Sequence, residues 1–294
     1  MSKIIHFITF LVRIFIGNKS IIKVNFKDEK GLNLVALAPF DSIATALKDV
    51  IILEEYDRLG IPAQRNLIVD VGSHVGFYAL KHASSTKKII CLEPNPINYK
   101  LLCLNIALNK LKNVLPLKVA LWRERGEVLM EAEQNSVSHH IINTEEGFYS
   151  HSHYKVESIT LRDLIDMFGD IDVLKLDIEG AENIVIPSFD QKSLDKVAFL
   201  VAELHSLSYI EEHKIRKLLQ NAGFQVSIFR PPPHGTSATK IFANIFYLTN
   251  LPAAIKILLL FLSLFSRCYP HRIKLMHAQK NVANSIGDLD ERRA

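Results

Sequence analysis

The chain has 294 residues, 48% of them hydrophobic, which allows one large α/β domain or two small ones and excludes an intrinsically disordered chain. Its formal net charge of +4 is unevenly distributed, because residues 1–30 carry six Lys and Arg against two acids and residues 251–294 carry seven against three. The acidic middle argues against nucleic acid as a partner, and the basic ends favour contact with an anionic membrane surface.

Residues 1–18 are apolar except for polar side chains that share one helical face. The segment is too short to span a bilayer, and it predicts an amphipathic helix in the plane of a membrane, with a helix packed on the domain as the alternative. Cys91, Cys103 and Cys268 form no C-x-x-C pair, which predicts a reducing compartment. We therefore expect a cytoplasmic protein, peripheral on the inner face of the cell membrane.

Residues 19–66 predict two elements that precede the main domain. Polar and apolar residues alternate over 19–38, which indicates a hairpin of two strands. Residues 41–60 then predict a helix that ends at Gly60. A short loop leads from this helix into the first strand of the main domain.

The stretch 67–80, LIVDVGSHVGFYAL, predicts a strand that turns sharply into a helix. Its apolar run ends at Asp70, and Gly72 and Gly76 follow before a helical run over 77–82. Glycine allows a positive φ or the close approach of a ligand, and the N–H groups at a helix N-terminus point outward. Open α/β sheets bind nucleotide-like ligands at such a turn, at the carboxyl ends of their strands.

An acidic residue follows the next predicted strand. Residues 88–92 form a buried apolar run, and Glu93 stands at its end before two prolines. In nucleotide-binding βαβ units an acid about 20 positions after the glycine turn binds the ribose hydroxyls, and Glu93 lies 21 residues after Gly72. A carboxylate suits this role because it can accept from two vicinal O–H groups. A surface acid at a strand end is the alternative.

Two further strands are predicted over 114–121 and 127–132, and a polar stretch, 133–155, follows them. The stretch contains four histidines, but their spacing fits no established ligand pattern, and such a loop is more often solvated or faces a substrate. We therefore expect no metal there.

Acidic residues and a histidine end two later strands. The apolar strand over 171–176 delivers Asp177 to the carboxyl edge of the sheet, with Glu179 two residues on. These acids could have a purely structural role, in which they complement the dipole of the following helix. That role suits Asp177 less well, because the strand places Asp177 at the ligand-binding edge of the sheet. The strand over 197–204 is followed by His205.

The remaining predicted elements are a helix over 208–222 that ends at Gly223, a strand over 224–229, a stiff loop at 231–235 and a last strand over 241–248. Strands alternating with helices imply a mostly parallel, doubly wound α/β sheet with an antiparallel final strand, in a domain over 67–250. Residues 251–276 are hydrophobic with a basic flank and favour a shallow membrane anchor, and residues 277–294 predict a disordered tail.

The glycine turn matches neither of two common phosphate-binding motifs. His74 occupies the middle glycine position of the NAD fingerprint, and Phe77 stands where a P-loop lysine would follow Gly76. A nucleoside without phosphates fits better, and S-adenosylmethionine is the leading candidate because its ribose suits Glu93 and its sulfonium suits nearby acids. A Rossmann-type NAD or nucleotide-sugar enzyme is one alternative, and a catalytically inactive membrane-associated binding module is another.

Five segments together resemble the FkbM-type family of class I S-adenosylmethionine-dependent methyltransferases: VDVGSHVGFYAL, LEPNPINYKLL, VALWRERGEV, LRDLIDMFGDIDVLKLDIEGAE and AELH. The resemblance implies a Rossmann-like fold and methyl transfer, usually to a hydroxyl of a sugar, glycan, lipid-linked or natural-product acceptor. It implies a cofactor-binding set made of Asp70, Gly72, Ser73, His74, Gly76, Glu93, Asn95, Ser136 and Asp177.

Methyl transfer to an alcohol requires the protein to align the acceptor oxygen with the methyl group and to remove its proton. Asp177, His205 and Glu179 are the candidate catalytic residues, and His205 is attractive because imidazole titrates near neutral pH. The alternative to a catalytic role for His205 is a structural one, in which a histidine at a strand end hydrogen-bonds a neighbouring group. Glu179, Glu203 and His205 could instead hold a divalent metal that polarises the hydroxyl, which we do not favour. The sequence does not indicate an oligomeric state.

Overall fold

The computed structural model describes residues 21–57, 60–131, 141–142, 153–205, 207–229, 238–249, 251–265 and 273–280. Its strands are β1 (Ile21–Lys27), β2 (Asn33–Pro39), β3 (Arg65–Val71), β4 (Thr86–Leu92), β5 (Val114–Leu117), β6 (Ala120–Leu121), β7 (Gly126–Glu131), β8 (Ile141–Ile142), β9 (His153–Ile159), β10 (Ile171–Leu176), β11 (Val197–His205), β12 (Phe224–Phe229) and β13 (Ile273–Lys280). Its helices are α1 (Phe40–Ser42, continued by the π-helix Ile43–Ile52), α2 (Phe77–His82), α3 (Pro96–Leu108), α4 (Leu161–Phe168), α5 (Glu182–Val185), α6 (Gln191–Leu194), α7 (Tyr209–Asn221), α8 (Ala238–Tyr247) and α9 (Ala253–Phe265).

A seven-stranded sheet forms the centre of the protein, in the order β12-β13-β11-β10-β3-β4-β5. Neighbouring strands are parallel except at β13, which runs antiparallel to both β11 and β12. The central strands are near-continuous apolar runs because helices cover both faces of the sheet. The mostly parallel, doubly wound sheet with an antiparallel strand is therefore confirmed.

Hydrophobic cores lie on both sides of this sheet. On one side the β1–β2 hairpin packs with α1, α2, α3, α8 and α9, and Phe26 and Leu102 are among the buried residues. On the other side α4, α5, α6 and α7 pack around Leu164 and Leu219. A smaller sheet, β6-β9-β7-β8, adjoins the second core through Leu121. The carboxyl ends of β3, β4, β10 and β11 meet at one edge between these layers.

The N-terminal elements differ from prediction mainly in length. The hairpin expected over 19–38 is present as β1 and β2, paired antiparallel. The helix expected over 41–60 ends at Ile52, because the chain then turns and buries Tyr56 at 2% exposure.

In the main domain, the prediction of one strand over 114–121 is wrong, since its two halves, β5 and β6, pair in different sheets.

The last predicted strand, over 241–248, is also wrong, because these residues lie in and just after α8. Ile241, Ile245 and Leu248 are its buried residues. Their i, i+4, i+7 spacing is the period of a helix, but a short and almost continuously apolar run such as IFANIFYL cannot be distinguished from a strand by periodicity alone. The next described element after β12 is therefore a helix and not an edge strand.

The antiparallel strand is supplied instead by β13, part of which was expected in the disordered tail from residue 277. Its sequence, IKLMHAQK, has little strand propensity. It forms because β11 and β12 hydrogen-bond it from both sides and because the His277 ring stacks on Phe199 with centroids 4.3 Å apart. The domain boundary expected at residue 250 is thus too early, since the sheet includes 273–280.

The hydrophobic segment after residue 251 is a packed helix. Ile255, Leu258 and Leu259 of α9 are buried in the core on the hairpin side. Within the described part of the chain, no helix has the length and apolarity needed to cross a bilayer. The predicted N-terminal helix over 1–18, the loop at 231–235 and the tail beyond residue 280 lie outside the described residues.

Candidate active site

The glycine turn after β3 brings two parts of the sheet edge into close contact. Gly72 has a φ of +72°, and a Cβ added there would stand 1.7 Å from the Asp177 carbonyl oxygen. Gly76 has a φ of +95°, and its Cβ would stand 2.6 Å from Leu102 Cδ1 on α3. Both glycines are therefore needed for packing and for backbone conformation, before any ligand is considered.

Backbone hydrogen bonds hold this turn against the end of β4. The N–H groups of Gly72 and Ser73 each donate to the Leu92 carbonyl at 3.0 Å, and the Ser73 hydroxyl donates to the Asp70 carbonyl at 2.6 Å. His74 adopts a left-handed φ of +53°, and its Nε2 lies 3.1 Å from the Ser42 hydroxyl of α1. The His74 ring is thereby tied to the neighbouring helix.

Glu93 is held with one N–H donor on each carboxylate oxygen. The His74 N–H donates to Oε2 at 2.7 Å, and the Asn95 N–H donates to Oε1 at 2.9 Å. A carboxylate has about four acceptor positions, so each oxygen retains capacity for a further donor. The side chain is 5% exposed, and its burial raises the pKa of Glu93 to about 7.

Asn95 supports Glu93 and also begins α3. Its Oδ1 accepts from the N–H groups of Ile97 and Asn98, at 2.9 and 3.1 Å, which is N-capping geometry. Its Nδ2 lies 3.2 Å from the Tyr154 hydroxyl on β9. The capping explains why the helix starts here, and it places the Asn95 N–H where Glu93 needs a donor.

A cleft opens at this edge of the sheet, with about 690 Å³ of empty space when the open solvent at its mouth is included. Five of the residues predicted for the site line it: Gly72, His74, Glu93, Asp177 and Glu179. Four others, Asp70, Ser73, Gly76 and Asn95, belong to the structure behind it, and His205 lies beside it. The remaining walls are largely apolar and include Leu92, Val119, Leu121 and Met130. Ser136 lies outside the described residues.

A buried lysine that sequence reasoning missed lies beneath the cleft. Lys175 Nζ is 3.2 Å from Asp70 Oδ1 and 3.5 Å from Asp177 Oδ2, and it donates to the Gly72 carbonyl at 3.1 Å. Burial disfavours the charged amine, but the two carboxylates outweigh it and raise the pKa of Lys175. A lone lysine inside the apolar strand IDVLKL was the available signal, because buried charges require partners.

Tyr56 is a second residue that the sequence did not reveal. Its hydroxyl lies 3.2 Å from Asp177 Oδ2 and hydrogen-bonds Glu203 Oε1, and its ring lies 5.5 Å from Lys175 Nζ. Burial and these carboxylates raise the pKa of Tyr56 well above its usual value, so the phenol stays neutral. Tyr56 is 121 positions from Asp177, and no local pattern connects the two.

His205 is surrounded by acids at the end of β11. Its Nδ1 lies 2.9 Å from Glu182 Oε1, and its Nε2 lies 3.6 Å from Glu179 and 3.7 Å from Glu203. Burial lowers the pKa of His205, but Glu182, Asp177 and Glu179 outweigh it and raise that pKa to about 10. This pKa lies above the near-neutral value expected from the sequence, and a protonated ring is disfavoured as the base at neutral pH.

The raised pKa of His205 predicts a specific dependence of stability on pH. The folded pKa of about 10 exceeds the ordinary 6.5, so the protonated ring stabilises the fold fully below pH 6.5 and loses this effect as pH rises through 10. We expect a His205→Gln variant to be less stable than wild type by an amount on the order of a few kcal/mol at neutral pH, with the gap closing at high pH. Urea denaturation over this range measures the gap. The exposed His213, changed to Gln, is the control, and a pH-independent gap for His205→Gln would contradict the ion pairs.

Glu179 has features that suit proton transfer. It adopts a left-handed φ of +52°, a strained conformation for a residue other than glycine, and it lines the cleft two residues after Asp177. Burial and the neighbouring Asp177 raise the pKa of Glu179 to about 7. A carboxylate with this pKa can accept a proton at neutral pH.

Among the described residues, Asp177, Glu203 and His205 could hold a metal ion, because one ligand atom from each lies within 4.8 Å of the others. Two carboxylates and an imidazole are donors that divalent transition metals accept. The metal set considered from the sequence was Glu179, Glu203 and His205, so the set in the structure has Asp177 in place of Glu179. Of the four histidines in the polar stretch, only His153 falls within the described residues, where it begins β9.

Comparison with known proteins identifies the family. The model of the methyltransferase FkbM domain matches residues 70–226, which is more than half of the chain and includes every element at the cleft edge from the end of β3 to β12. The chain belongs to the FkbM methyltransferase family. Its sheet is accordingly the Rossmann-like class I methyltransferase fold, and the family favours methyl transfer over the NAD or nucleotide-sugar alternative.

Relatives of this FkbM methyltransferase include other methyltransferases. Methyltransferase sdnD of Sordaria araneosa is 28% identical over 204 residues, covering 58% of this chain and 78% of that protein. Methyltransferase 1 of Beauveria bassiana is 25% identical over 208 residues, covering 63% and 82%. The crystal structure of methyltransferase FkbM from Methylobacillus flagellatus aligns with 14% identity and a TM-score of 0.40, covering 61% of this chain and 44% of that one.

Proposed function

We propose that this FkbM methyltransferase transfers the methyl group of S-adenosylmethionine to a hydroxyl oxygen. The observation that carries the proposal is Glu93, a buried carboxylate that lines the cleft and keeps an acceptor position on each oxygen. Two vicinal ribose hydroxyls match this arrangement, because each can donate to one oxygen. The cleft edge lies at the carboxyl ends of parallel strands, where such sheets bind nucleosides.

The lining of the cleft suits the different parts of S-adenosylmethionine. Its apolar side chains, including Leu121 and Met130, suit an adenine ring. Asp177 and Glu179 also line it, and a carboxylate stabilises positive charge on a ligand. S-adenosylmethionine supplies an activated methyl group on a sulfonium. His74, which lines the cleft at the glycine turn, suits the amino-acid portion of the molecule.

The residues then have to orient the acceptor and remove one proton. We assign the base to Glu179, whose pKa of about 7 allows its carboxylate to take the hydroxyl proton as the oxygen–methyl bond forms and the sulfur–methyl bond breaks. Protonated His205, 3.6 Å from Glu179, and buried Lys175 hold the surrounding carboxylates in place. Tyr56 fixes Asp177 and Glu203 relative to each other.

The acceptor class we propose is a hydroxyl on a sugar, glycan, lipid-linked or natural-product molecule. Calorimetry with S-adenosylmethionine, NAD and a nucleotide sugar tests the cofactor, and we expect only the first to bind. Methyl-labelled cofactor with a panel of hydroxylated acceptors tests the reaction. An alkali-stable methyl ether as product supports the proposal, selective binding of NAD overturns it, and cofactor binding without turnover favours the inactive binding module.

The pKa of Glu93 predicts how cofactor affinity depends on pH. Only the ionised carboxylate accepts from both ribose hydroxyls, and its pKa in the free protein is about 7. Affinity should therefore fall as pH decreases, by about tenfold between pH 8 and pH 6. Calorimetric titrations with S-adenosylmethionine across this range measure the effect. An affinity independent of pH would contradict a buried, ionisable Glu93 at the ribose.

A further inference from the structure

Helix α8 presents large apolar side chains to the surface as well as to the core. Ile241 and Ile245 are buried, whereas Phe242 is 53% exposed and Phe246 is 78% exposed. The two phenylalanines are four residues apart and therefore share one face of the helix. Exposed phenylalanines paired in this way are unusual on a monomeric surface and mark an interaction site.

Neighbouring elements extend this surface. Ile257 is 67% exposed on α9, which packs against α8. The end of α8 is joined to β1 through Asn25 and Thr249, whose backbone groups exchange two hydrogen bonds of 3.1 Å. We call the exposed side chains of these three elements the docking face. Its members are Ile21, Lys23, Lys27, Phe242, Phe246, Tyr247 and Ile257.

The charge of the docking face has one sign. Lys27 Nζ lies 4.3 Å from the centroid of the Tyr247 ring, at the border between the lysines and the aromatic side chains. No Asp or Glu occurs in β1, α8 or α9, and residues 213–287 contain ten Lys and Arg without a single acid. Lysines beside exposed aromatic rings complement an anionic surface that also accepts apolar groups. A lipid bilayer has both properties, whereas a nucleic-acid backbone offers only the charge.

Two segments outside the described residues are attached in sequence to elements of the docking face. Residues 1–20 connect directly to Ile21 of β1, and their sequence is rich in Ile, Phe, Leu and Val with three basic residues and no acid. Residues 266–272 follow α9 and add Arg267 and Arg272. The apolar, basic segment 1–20 and the basic segment 266–272 are therefore attached to β1 and α9, which both contribute to the docking face.

We propose that the docking face binds the surface of an anionic lipid membrane. This inference builds on the proposed function, since lipid-linked hydroxyls are among its acceptors, and it places the enzyme on the surface where they occur. The α8–α9 layer lies on the hairpin side of the sheet, opposite α7. Binding through it leaves the helices of the other layer facing the solution.

The test measures binding of the full chain to vesicles, which requires no methyl transfer. We expect sedimentation with phosphatidylcholine vesicles that contain phosphatidylglycerol, and weaker binding to phosphatidylcholine alone. A Phe242→Ser/Phe246→Ser double variant should lower the partition constant by at least about tenfold, since each ring loses its burial in lipid. A Lys23→Gln/Lys27→Gln double variant should lower binding to the anionic vesicles only.

The matched control is Tyr209→Ser/Ile210→Ser, which removes two exposed apolar side chains from α7 on the other layer. It should bind vesicles like wild type. Unchanged binding of the phenylalanine variant, or equal loss by the control, overturns the docking face. S-adenosylmethionine calorimetry on the same proteins should give unchanged affinities. Absence of cofactor binding by wild type would overturn the proposed function and leave the vesicle result standing.

Discussion

Changing Glu93 to glutamine is expected to weaken S-adenosylmethionine binding by at least about a hundredfold, because two charge-assisted hydrogen bonds to the ribose are lost. The amide keeps the size of the side chain but offers one acceptor oxygen in place of two. Its NH2 group must also face one of the N–H donors of His74 or Asn95. Isothermal titration calorimetry measures the affinity, and circular dichroism shows whether the fold is retained.

The matched control for this variant is Glu127→Gln. Glu127 is a surface carboxylate on β7 that pairs with Lys155 at 2.9 Å and is 63% exposed. Its removal should leave cofactor affinity unchanged, because a surface ion pair contributes little to the fold. Normal binding by Glu93→Gln would refute the ribose assignment, even if methyl transfer itself were later demonstrated.

The second large effect is expected for Gly72→Ala. The new Cβ would stand 1.7 Å from the Asp177 carbonyl oxygen, and that oxygen is part of a backbone and cannot rotate away. The β3 turn or the β10 end must therefore move, and we expect a loss of more than about 4 kcal/mol in the free energy of unfolding. A domain at the lower end of the ordinary range of stability, about 5–15 kcal/mol, would be left only marginally folded. Urea denaturation measures the loss.

Gly60→Ala separates steric contact from backbone strain in this experiment. Gly60 has a φ of +76°, close to the +72° of Gly72, but a Cβ there has no neighbour within 4 Å. It should cost only the left-handed conformation, about 1–2 kcal/mol. Equal losses at the two glycines would mean that the contact with Asp177 is relieved without cost.

Local patterns predicted the central elements well. The strand over 171–176 and the strand over 224–229 have their predicted bounds, because continuous apolar runs between turn residues allow little else. The prediction of a strand over 241–248 was wrong, because the buried residues at helical spacing could not be distinguished from the other apolar residues of that stretch. Strand periodicity also missed β13, whose residues have no pattern of their own and depend on hydrogen bonds from β11 and β12.

The residues of the candidate active site also fall into those that the sequence predicts and those that it does not. Gly72, Glu93 and Asp177 could be predicted because each ends a strand, and the ends of parallel strands meet at one edge of a sheet. Tyr56 could not, since it comes from an N-terminal connection that folds across the sheet. The raised pKa of His205 also could not be predicted, because it depends on Glu182, Asp177 and Glu179, which follow β10 and come close to the end of β11 only in the fold.

The sequence by itself determined the alternation of strands and helices, the glycine turn and the acid that follows it, because these depend on neighbours within a few residues. It also carried the family motifs. Only the tertiary structure decided which glycine tolerates no Cβ, which carboxylates surround His205, and where the hydrophobic C-terminal helix lies. Those properties depend on distances between residues far apart in the chain, and burial converts such distances into large changes of pKa and of stability.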